Sequence, residues 1–464
     1  MPSSNPTTVC PGPLSRRSFM KIGALSMGAL AGGGVPPGLA RLLAAEAASP
    51  KADKDFSVVL LWAAGGPSHL ETFDMKPNAP VEYRGQFKPI KTNVPGIEIT
   101  ELLPNLAKMA DKFSLVRSLY HNRNEHSGGT GRMLSGYASV ASDPFQSEFP
   151  VIGSVVAKHL EDQVRDLPLY VGNSTFYGGG PGYLGPAHVP FMFNGDPASP
   201  SFKVGNLSLT PEAVAQLHKR QELLKSFDTL RREIDRTQTM STLDKFNQRA
   251  LEMLTSSKTR QAFDLSQEPE SVRKQYGPST GGQTLLLARR LVEAGVRFVQ
   301  LTAHFPVDKK NGVVGATNWD DHSVNANIFE AYKDRMPLFD VVVPAFLNDL
   351  YSRGLNRNVL FIFCGEFGRT PKVSLVARDA KGPGRDHWCR AMSIFLAGGG
   401  MKMGQVVGAT NSRGEDPAER VMNSNCLLST IYKRFGIDTT KIYPDKTGRP
   451  TPILTDGTPI EELL

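Results

Sequence analysis

The sequence predicts an α/β fold: a mostly parallel central sheet with helices on both faces. Three observations carry this. Five short apolar runs of strand character are spread along the chain, amphipathic helical patterns lie between them, and groups rich in His, Asp and Glu sit next to the ends of the apolar runs. Strands that alternate with helices argue for a parallel sheet buried on both sides. In such a sheet, ligands bind beyond the carboxyl ends of the strands.

The elements follow in order. Ser15-Arg-Arg-Ser-Phe-Met-Lys21 precedes a weakly apolar run from Ile22 to Gly34, and small residues reach Ala48. Twin arginines before such a run read as a twin-arginine (Tat) export signal over residues 1–48. This makes the Tat translocase a partner during export and the mature protein periplasmic or secreted. A stable membrane anchor is not expected. The run is short and holds five glycines, whereas a span needs about 20 apolar residues. Phe56 to Trp62 reads as the first strand and ends at the glycine turn Gly65-Gly-Pro67; further strands are expected at 113–119, 297–302, 358–363 and 392–397. Residues 172–205, rich in Gly, Pro and aromatics, should form a long structured loop of the kind that often borders a site. Residues from about 209 to 277 are charged and helical and read as an insertion on an α/β domain spanning 49–464. Leu285, Leu286, Leu287, Leu291 and Val292 mark a helix ending at Gly295. Phe329 to Leu350 repeat apolar residues at three- and four-residue steps and mark a longer one.

Composition limits the function classes. The 464 residues carry 53 Lys and Arg against 45 Asp and Glu, a net charge of +8. Residues 1–48 hold Arg16, Arg17, Lys21 and Arg41 with Glu46, so their removal lowers this to +5. That is too mild and too scattered for nucleic-acid binding. Cys364, Cys389 and Cys426 are the cysteines after residue 48, which permits one disulfide at most and contains no zinc-finger spacing.

Four polar clusters follow strands or lie close by. They are Gly65 to Asp74, with His69 and Glu71; His121 to Arg132, with His126 and Ser127; His304 with the later Trp319-Asp-Asp-His322; and Cys364-Gly-Glu366-Phe-Gly-Arg369. A further group, Gly384-Arg-Asp-His-Trp388, precedes the fifth strand. Six of the nine His fall in these groups. Imidazole with carboxylate suits zinc or manganese, and carboxylate-rich subsites also take calcium. The metal candidates are therefore Asp74, His126, Asp320, His322, Glu366, Asp386 and His387. On an extended segment Asp320 and His322 point to one face, while Asp386 and His387 point apart unless the segment turns. Each cluster alone also suits a structural role: His69 or Ser127 at a helix start, Glu366 with Arg369 as an ion pair, Asp386 with His387 as a loop tie.

Gly65-Gly-Pro-Ser-His-Leu-Glu-Thr-Phe-Asp-Met-Lys-Pro77, Trp319-Asp-Asp-His322, Gly365-Glu-Phe-Gly-Arg-Thr-Pro371 and Gly384-Arg-Asp-His-Trp388 resemble the domain-of-unknown-function 1501 family. That family is similar to the alkaline phosphatase and sulfatase superfamily, and its members are often Tat-exported. The resemblance covers nearly all of the chain after residue 48 and implies an alkaline phosphatase-like sheet with metal ligands after successive strands. It also implies that Glu366 takes the place of a ligand Asp, that Phe367 replaces a ligand His, that His387 with Asp386 is the late histidine ligand, and that Asp320 and His322 form the Asp/His pair. Trp62-Ala-Ala-Gly65 stands where an Asp is usual, leaving Glu71 or Asp74 to serve. Arg132-Met-Leu-Ser-Gly136 resembles the segment after the nucleophile helix, which sets the nucleophile position at His126 with Ser127 beside it. No Cys-x-Pro-x-Arg motif is present, so a formylglycine sulfatase is disfavoured.

Two functions follow. One is an exported metal-dependent hydrolase of phosphate or sulfate esters on a small molecule or glycan. Ser127 or His126 acts at the reacting centre, and Arg132 or Arg369 clamps the oxyanion. The alternative is a non-catalytic exported binding protein of the same fold that recognises an anionic glycan or other ligand. Fold alone does not choose between them.

Overall fold

Alternate side chains of strand β1 (Ser57–Trp62), buried at every position, enter two different cores. Val59 and Leu61 join one apolar cluster, and Val58, Leu60 and Trp62 join the other. This is the period-two alternation of a strand covered on both faces. The chain is described here by a computed structural model. It describes residues 55–138, 147–163, 166–176, 179–207, 252–307, 319–374 and 381–464, together with the single positions 212, 216 and 219. The export signal expected over 1–48 and most of the insertion expected from 209 lie outside the described residues.

The elements used below, in chain order, are β2 (Phe113–Tyr120), α1 (His126–Ser135), α2 (Ile152–His159), β3 (Tyr170–Gly172), β4 (Phe191–Met192), α3 (Ser257–Phe263), α4 (Glu270–Gln275), α5 (Thr280–Ala294), β5 (Phe298–Thr302), α6 (Ile328–Ser352), β6 (Val359–Cys364), β7 (Gly368–Arg369), β8 (His387–Trp388), β9 (Met392–Gly398), β10 (Val406–Val407), β11 (Met422–Asn423) and α7 (Ser424–Phe435). The main sheet has nine strands in the order β10-β2-β9-β6-β1-β5-β3-β4, and β11 also pairs with β2. One face is covered by α5 and α6, through Leu285, Leu291, Tyr332, Phe339 and Phe346. The other is covered by α1, α2 and α7, through Met133, Leu134, Ile152, Val155, Leu427 and Ile431. Each such buried Leu, Ile or Phe contributes about 1.5–3 kcal/mol, so both layers are held firmly against the sheet.

Local signals set the helix ends. Ser279 accepts from the Gly282 amide at the start of α5, and Gly295, with φ 113°, ends it. Asn327 accepts from the amides of Phe329 and Glu330 at the start of α6. The residues at 172–205 are not purely a loop: β4 pairs with β3 and extends the sheet edge. Residues 257–275, at the end of the charged stretch, contribute α3 and α4. No described helix is long and apolar enough to cross a membrane. Cys364, Cys389 and Cys426 are free and buried.

All pairs in the main sheet are parallel except those of β9, which runs antiparallel to both β2 and β6. An apolar run reads the same in either direction, so the sequence does not reveal this. The cause is the connection. The stretch from β6 to β9 folds into the small β7–β8 hairpin and re-enters at the edge it left, whereas a parallel return needs a crossover. The register then decides where chemistry gathers. Trp62 pairs with Thr302 and with Cys364, so β1, β5 and β6 end level with one another. Leu119, near the end of β2, pairs with Met392 at the start of β9. Four segments therefore meet at one edge of the sheet.

Candidate metal centre

The chain leaves β1 at Gly65, whose φ is 103°; a Cβ there would stand 2.3 Å from the backbone nitrogen of Asp320. Only glycine permits this left-handed turn and close approach. The Gly65 amide donates to Glu366 Oε1 at 2.7 Å, and the Trp319 amide donates to the Ala64 carbonyl at 2.7 Å. The turn after β1 thus ties together the segments that carry Asp320 and Glu366. Asp321 points away from the edge and takes the Arg335 guanidinium at 2.8 and 3.2 Å, which anchors the 319–322 segment to α6.

Three imidazoles converge on the Asp320 carboxylate. His126 is the first residue of α1. Its Nδ1 lies 2.7 Å from Glu366 Oε1, and its Nε2 3.7 Å from Asp320 Oδ2. His322 Nδ1 lies 2.7 Å from Asp386 Oδ1, and its Nε2 2.9 Å from Asp320 Oδ1. His387 Nδ1 lies 2.6 Å from the Asn124 carbonyl, and its Nε2 2.9 Å from the same Asp320 Oδ1. His322 Nε2 and His387 Nε2 stand 2.9 Å apart. Ligating atoms of His126, Asp320 and His387 all lie within 4.8 Å of one another.

A carboxylate or a backbone carbonyl only accepts, so each Nδ1 carries a proton. Nε2 then donates to Asp320 while the ring is charged, and offers its lone pair once a cation takes the place of that proton. Carboxylates or carbonyls behind the Nδ1 atoms are the usual outer support of metal-binding histidines. A further sign is Glu366 Oε2, which is buried and has no hydrogen-bond partner among the described residues. The donor set therefore fits a divalent metal ion.

The electrostatics agree. Burial disfavours the Asp320 carboxylate, but hydrogen bonds from His126, His322 and His387 and the Arg369 charge hold its pKa well below the usual range. Burial alone would lower His126, yet its bonds to Asp320 and Glu366 push it up to about 9. His322 is likewise raised, against burial, by its bond to Asp320. His387 is lowered, mainly by burial. The side chains of His126, Asp320 and His387 are 31%, 17% and 18% exposed, so the centre opens to solvent.

The remaining sequence candidates divide as follows. His126, Asp320, His322, Glu366, Asp386 and His387 come together. Within the group, Asp386 orients His322 and Glu366 Oε1 orients His126. Asp74 does not join them: it is buried against Thr410 and pairs with Lys76 at 2.9 Å. Arg132 does not face the centre either; it donates to Asn122 Oδ1 and the Gly136 carbonyl, each at 3.0 Å. Arg369 is no free clamp. Fully buried, it donates to the carbonyls of Gly65, Gly66, Trp319 and Arg385 and to Asp320 Oδ1 at 2.8 Å. It braces Asp320 and is not paired with Glu366. Ser127, half-buried beside His126, bonds none of these side chains, and the residue before α1 is Glu125. His69 caps no helix: it is buried and its Nε2 meets the Gly414 carbonyl at 2.9 Å.

Sequence reasoning missed the supports. His121, lowered to about 4 by burial, holds the Glu366 backbone carbonyl at 2.5 Å. The Asn124 carbonyl and the Gly65 amide are backbone groups with no side-chain signal at all. Asp321 was legible as part of Trp319-Asp-Asp-His322, but its partner Arg335 was not.

The family model described as "Protein of unknown function (DUF1501)" matches residues 55–464. A comparison with curated proteins finds no match. Among solved structures, the chain is similar to three described as follows. The phosphonate monoester hydrolase of Agrobacterium radiobacter is 11% identical, with TM-score 0.40, 88% of this chain and 77% of that chain covered. The lipoteichoic acid synthase LtaP from Listeria monocytogenes is 11% identical, with TM-score 0.38, 89% and 77% covered. The PsFucS1 sulfatase from Pseudoalteromonas sp. is 13% identical, with TM-score 0.36, 87% and 72% covered.

Proposed function

The chain belongs to the DUF1501 family, and on that footing we propose that it is an exported, metal-dependent hydrolase of phosphate or sulfate esters. The observation that carries the reading is the inward convergence of Nε2 of His126, His322 and His387 on the Asp320 carboxylate, with every Nδ1 held from behind. These four side chains would hold the ion, with His126, Asp320 and His387 at its heart. An imidazole-rich set suits zinc or manganese better than calcium.

A bound ion supplies a Lewis acid that polarises the ester and lowers the pKa of water. The chain's own groups do the rest. Arg369 holds Asp320 in place, Asp386 and the Asn124 carbonyl fix the tautomers of His322 and His387, and Glu366 Oε2 offers a buried oxygen able to accept a proton. Ser127 shares no hydrogen bond with the cluster, which favours water as the nucleophile. Turnover that survives Ser127→Ala supports water; its loss assigns the hydroxyl.

The test is metal analysis of the full chain purified without chelator, with 4-nitrophenyl phosphate and 4-nitrophenyl sulfate as substrates. About one divalent ion per chain, with turnover lost on chelation and regained on adding metal, is expected. A metal-free, inactive protein that stays so when zinc or manganese is supplied overturns the proposal. Metal without turnover supports the second reading, a non-catalytic binding protein for an anionic glycan or other ligand. One observation favours that reading: Arg132 and Arg369 are both committed to structural bonds. Export rests on the twin-arginine segment. Arg16→Lys with Arg17→Lys should leave the precursor in the cytoplasm on fractionation.

A further inference from the structure

The β7–β8 hairpin that carries Arg369 and His387 also forms one wall of an open cavity of about 420 Å³. That volume lies in the lower part of the usual ligand-pocket range of about 300–1,000 Å³ and suits one ring-sized unit. Thr370, next to the brace Arg369, and Trp388, next to His387, line it with Tyr83, Lys372, Arg390 and Glu415. Thr370 Oγ1 accepts from the Asp386 amide at 2.8 Å, so the cavity wall and the support of His322 are one piece. We propose that this cavity is the saccharide subsite of the same centre and takes an anionic sugar unit of the ester's carrier; the proposal rests on the hydrolase reading above.

The lining, with Arg413 beside it on the Tyr83 ring, offers three kinds of contact. Trp388 and Tyr83 are aromatic, with an apolar body and a polar tip. The Trp388 indole N–H is fixed on the Glu415 carbonyl at 2.7 Å, which sets the ring. Arg390 lies 5.9 Å from that ring and is paired with Asp416 at 2.5 Å, so its charge is matched. Two cations beside these rings have no carboxylate partner among the described residues. They are Lys372, which is exposed, and Arg413, whose guanidinium lies 5.1 Å from the Tyr83 ring. The carboxylate of Glu415 adds a hydrogen-bond acceptor.

A sugar uses all three: its C–H face lies on an aromatic ring, its hydroxyls donate to a carboxylate, and a sulfate, phosphate or uronate substituent meets the free cations. Nucleic acid or an acidic peptide would set repeated negative charge against Glu415 and Asp416. A neutral sugar would leave Lys372 and Arg413 unused.

The protein supplies its own reporter. Of its three tryptophans, Trp62 and Trp319 are 1% exposed, and Trp388 is the half-buried one. Intrinsic fluorescence and acrylamide quenching would be followed on the full chain against a sulfated oligosaccharide, a uronic-acid oligosaccharide, a neutral oligosaccharide and inorganic sulfate. Either anionic oligosaccharide should shift the emission and shield Trp388, and which of the two does so names the substituent. The neutral one should bind about 10-fold more weakly. Trp388→Phe should abolish the signal, and Lys372→Ala with Arg413→Ala should weaken binding by about 10-fold. No response to any oligosaccharide, equal binding of the neutral one, or a full response to inorganic sulfate alone overturns the proposal. Metal content and aryl-ester turnover of the same preparation test the hydrolase reading separately. A protein that turns over aryl esters but binds no sugar loses only this inference; one that binds the sugar without metal loses the reading and keeps the site.

Discussion

Two charge clusters, each with a buried centre, sit on opposite sides of the question of what charge is for. On the helical layer, Arg289, Arg290 and Arg353 meet Glu268, Glu293 and Asp349 in six contacts of 2.5–3.1 Å. Every carboxylate there faces a guanidinium, three against three, so the charges balance. At the sheet edge, Nε2 of His322 and Nε2 of His387 face each other and one oxygen of Asp320, and the buried Glu366 Oε2 has no hydrogen-bond partner among the described residues. The first arrangement is a closed structural device. The second is complete only with a cation that the chain itself does not supply. Buried charge marks function where its partners do not balance, not merely where it is buried.

The two clusters differ most at the ligands. His387→Ala should remove nearly all bound metal and cut aryl-ester turnover by more than about 100-fold, since even outer supports of a metal site are worth 10–100-fold. Metal analysis reads this, and unchanged stoichiometry would remove His387 from the ligand set. Arg289→Ala should do the opposite: it takes one guanidinium from Glu268, Glu293 and Asp349, which keep Arg290 and Arg353, and costs about 1.5–3 kcal/mol of stability in denaturant titration, while metal per folded chain stays the same. Asp386→Asn should be milder, weakening metal affinity about 10–100-fold through His322 with the fold retained. Competition with a chelator of known affinity would measure it.

The smallest effect concerns pH. In chelated protein His126 is raised from 6.5 to about 9. A raised histidine stabilises the fold fully below its unfolded pKa, and that contribution fades as pH climbs through about 9. The stability of chelated protein should therefore decline between about pH 6.5 and 9. His126→Gln should flatten the decline. The helical network should contribute nothing to it, because Arg289 titrates above this window and Glu268 below it. Denaturation at several pH values checks the slope.

How much of this was readable beforehand varies by residue. The runs at Phe56 and Asn358 lie one residue off the observed strands, because full burial on both faces demands unbroken apolar stretches. The 392–397 run was readable as a strand but not as an antiparallel one, since direction depends on the connection. Asp320 and His322 share a direction because they are two residues apart. Asp386 and His387 were expected to point apart unless the segment turned; they reach opposite nitrogens of one imidazole, that of His322. Asp74 drew attention as a carboxylate in a polar cluster, and its burial against Thr410 and Lys76 explains why it stays out of the centre.

The order of apolar and polar residues was enough, alone, to determine a sheet covered on both sides and to mark which stretches leave its strands, because burial and periodicity are local properties of the chain. Which oxygen meets which nitrogen was decided only in three dimensions. Arg369 became a brace and not a clamp through four backbone carbonyls that no sequence pattern records, and the three histidines became one centre through the level ends of β1, β5 and β6. Contacts between residues 301 positions apart, such as the Gly65 amide on Glu366, depend on register, and register emerges only when the whole sheet is assembled.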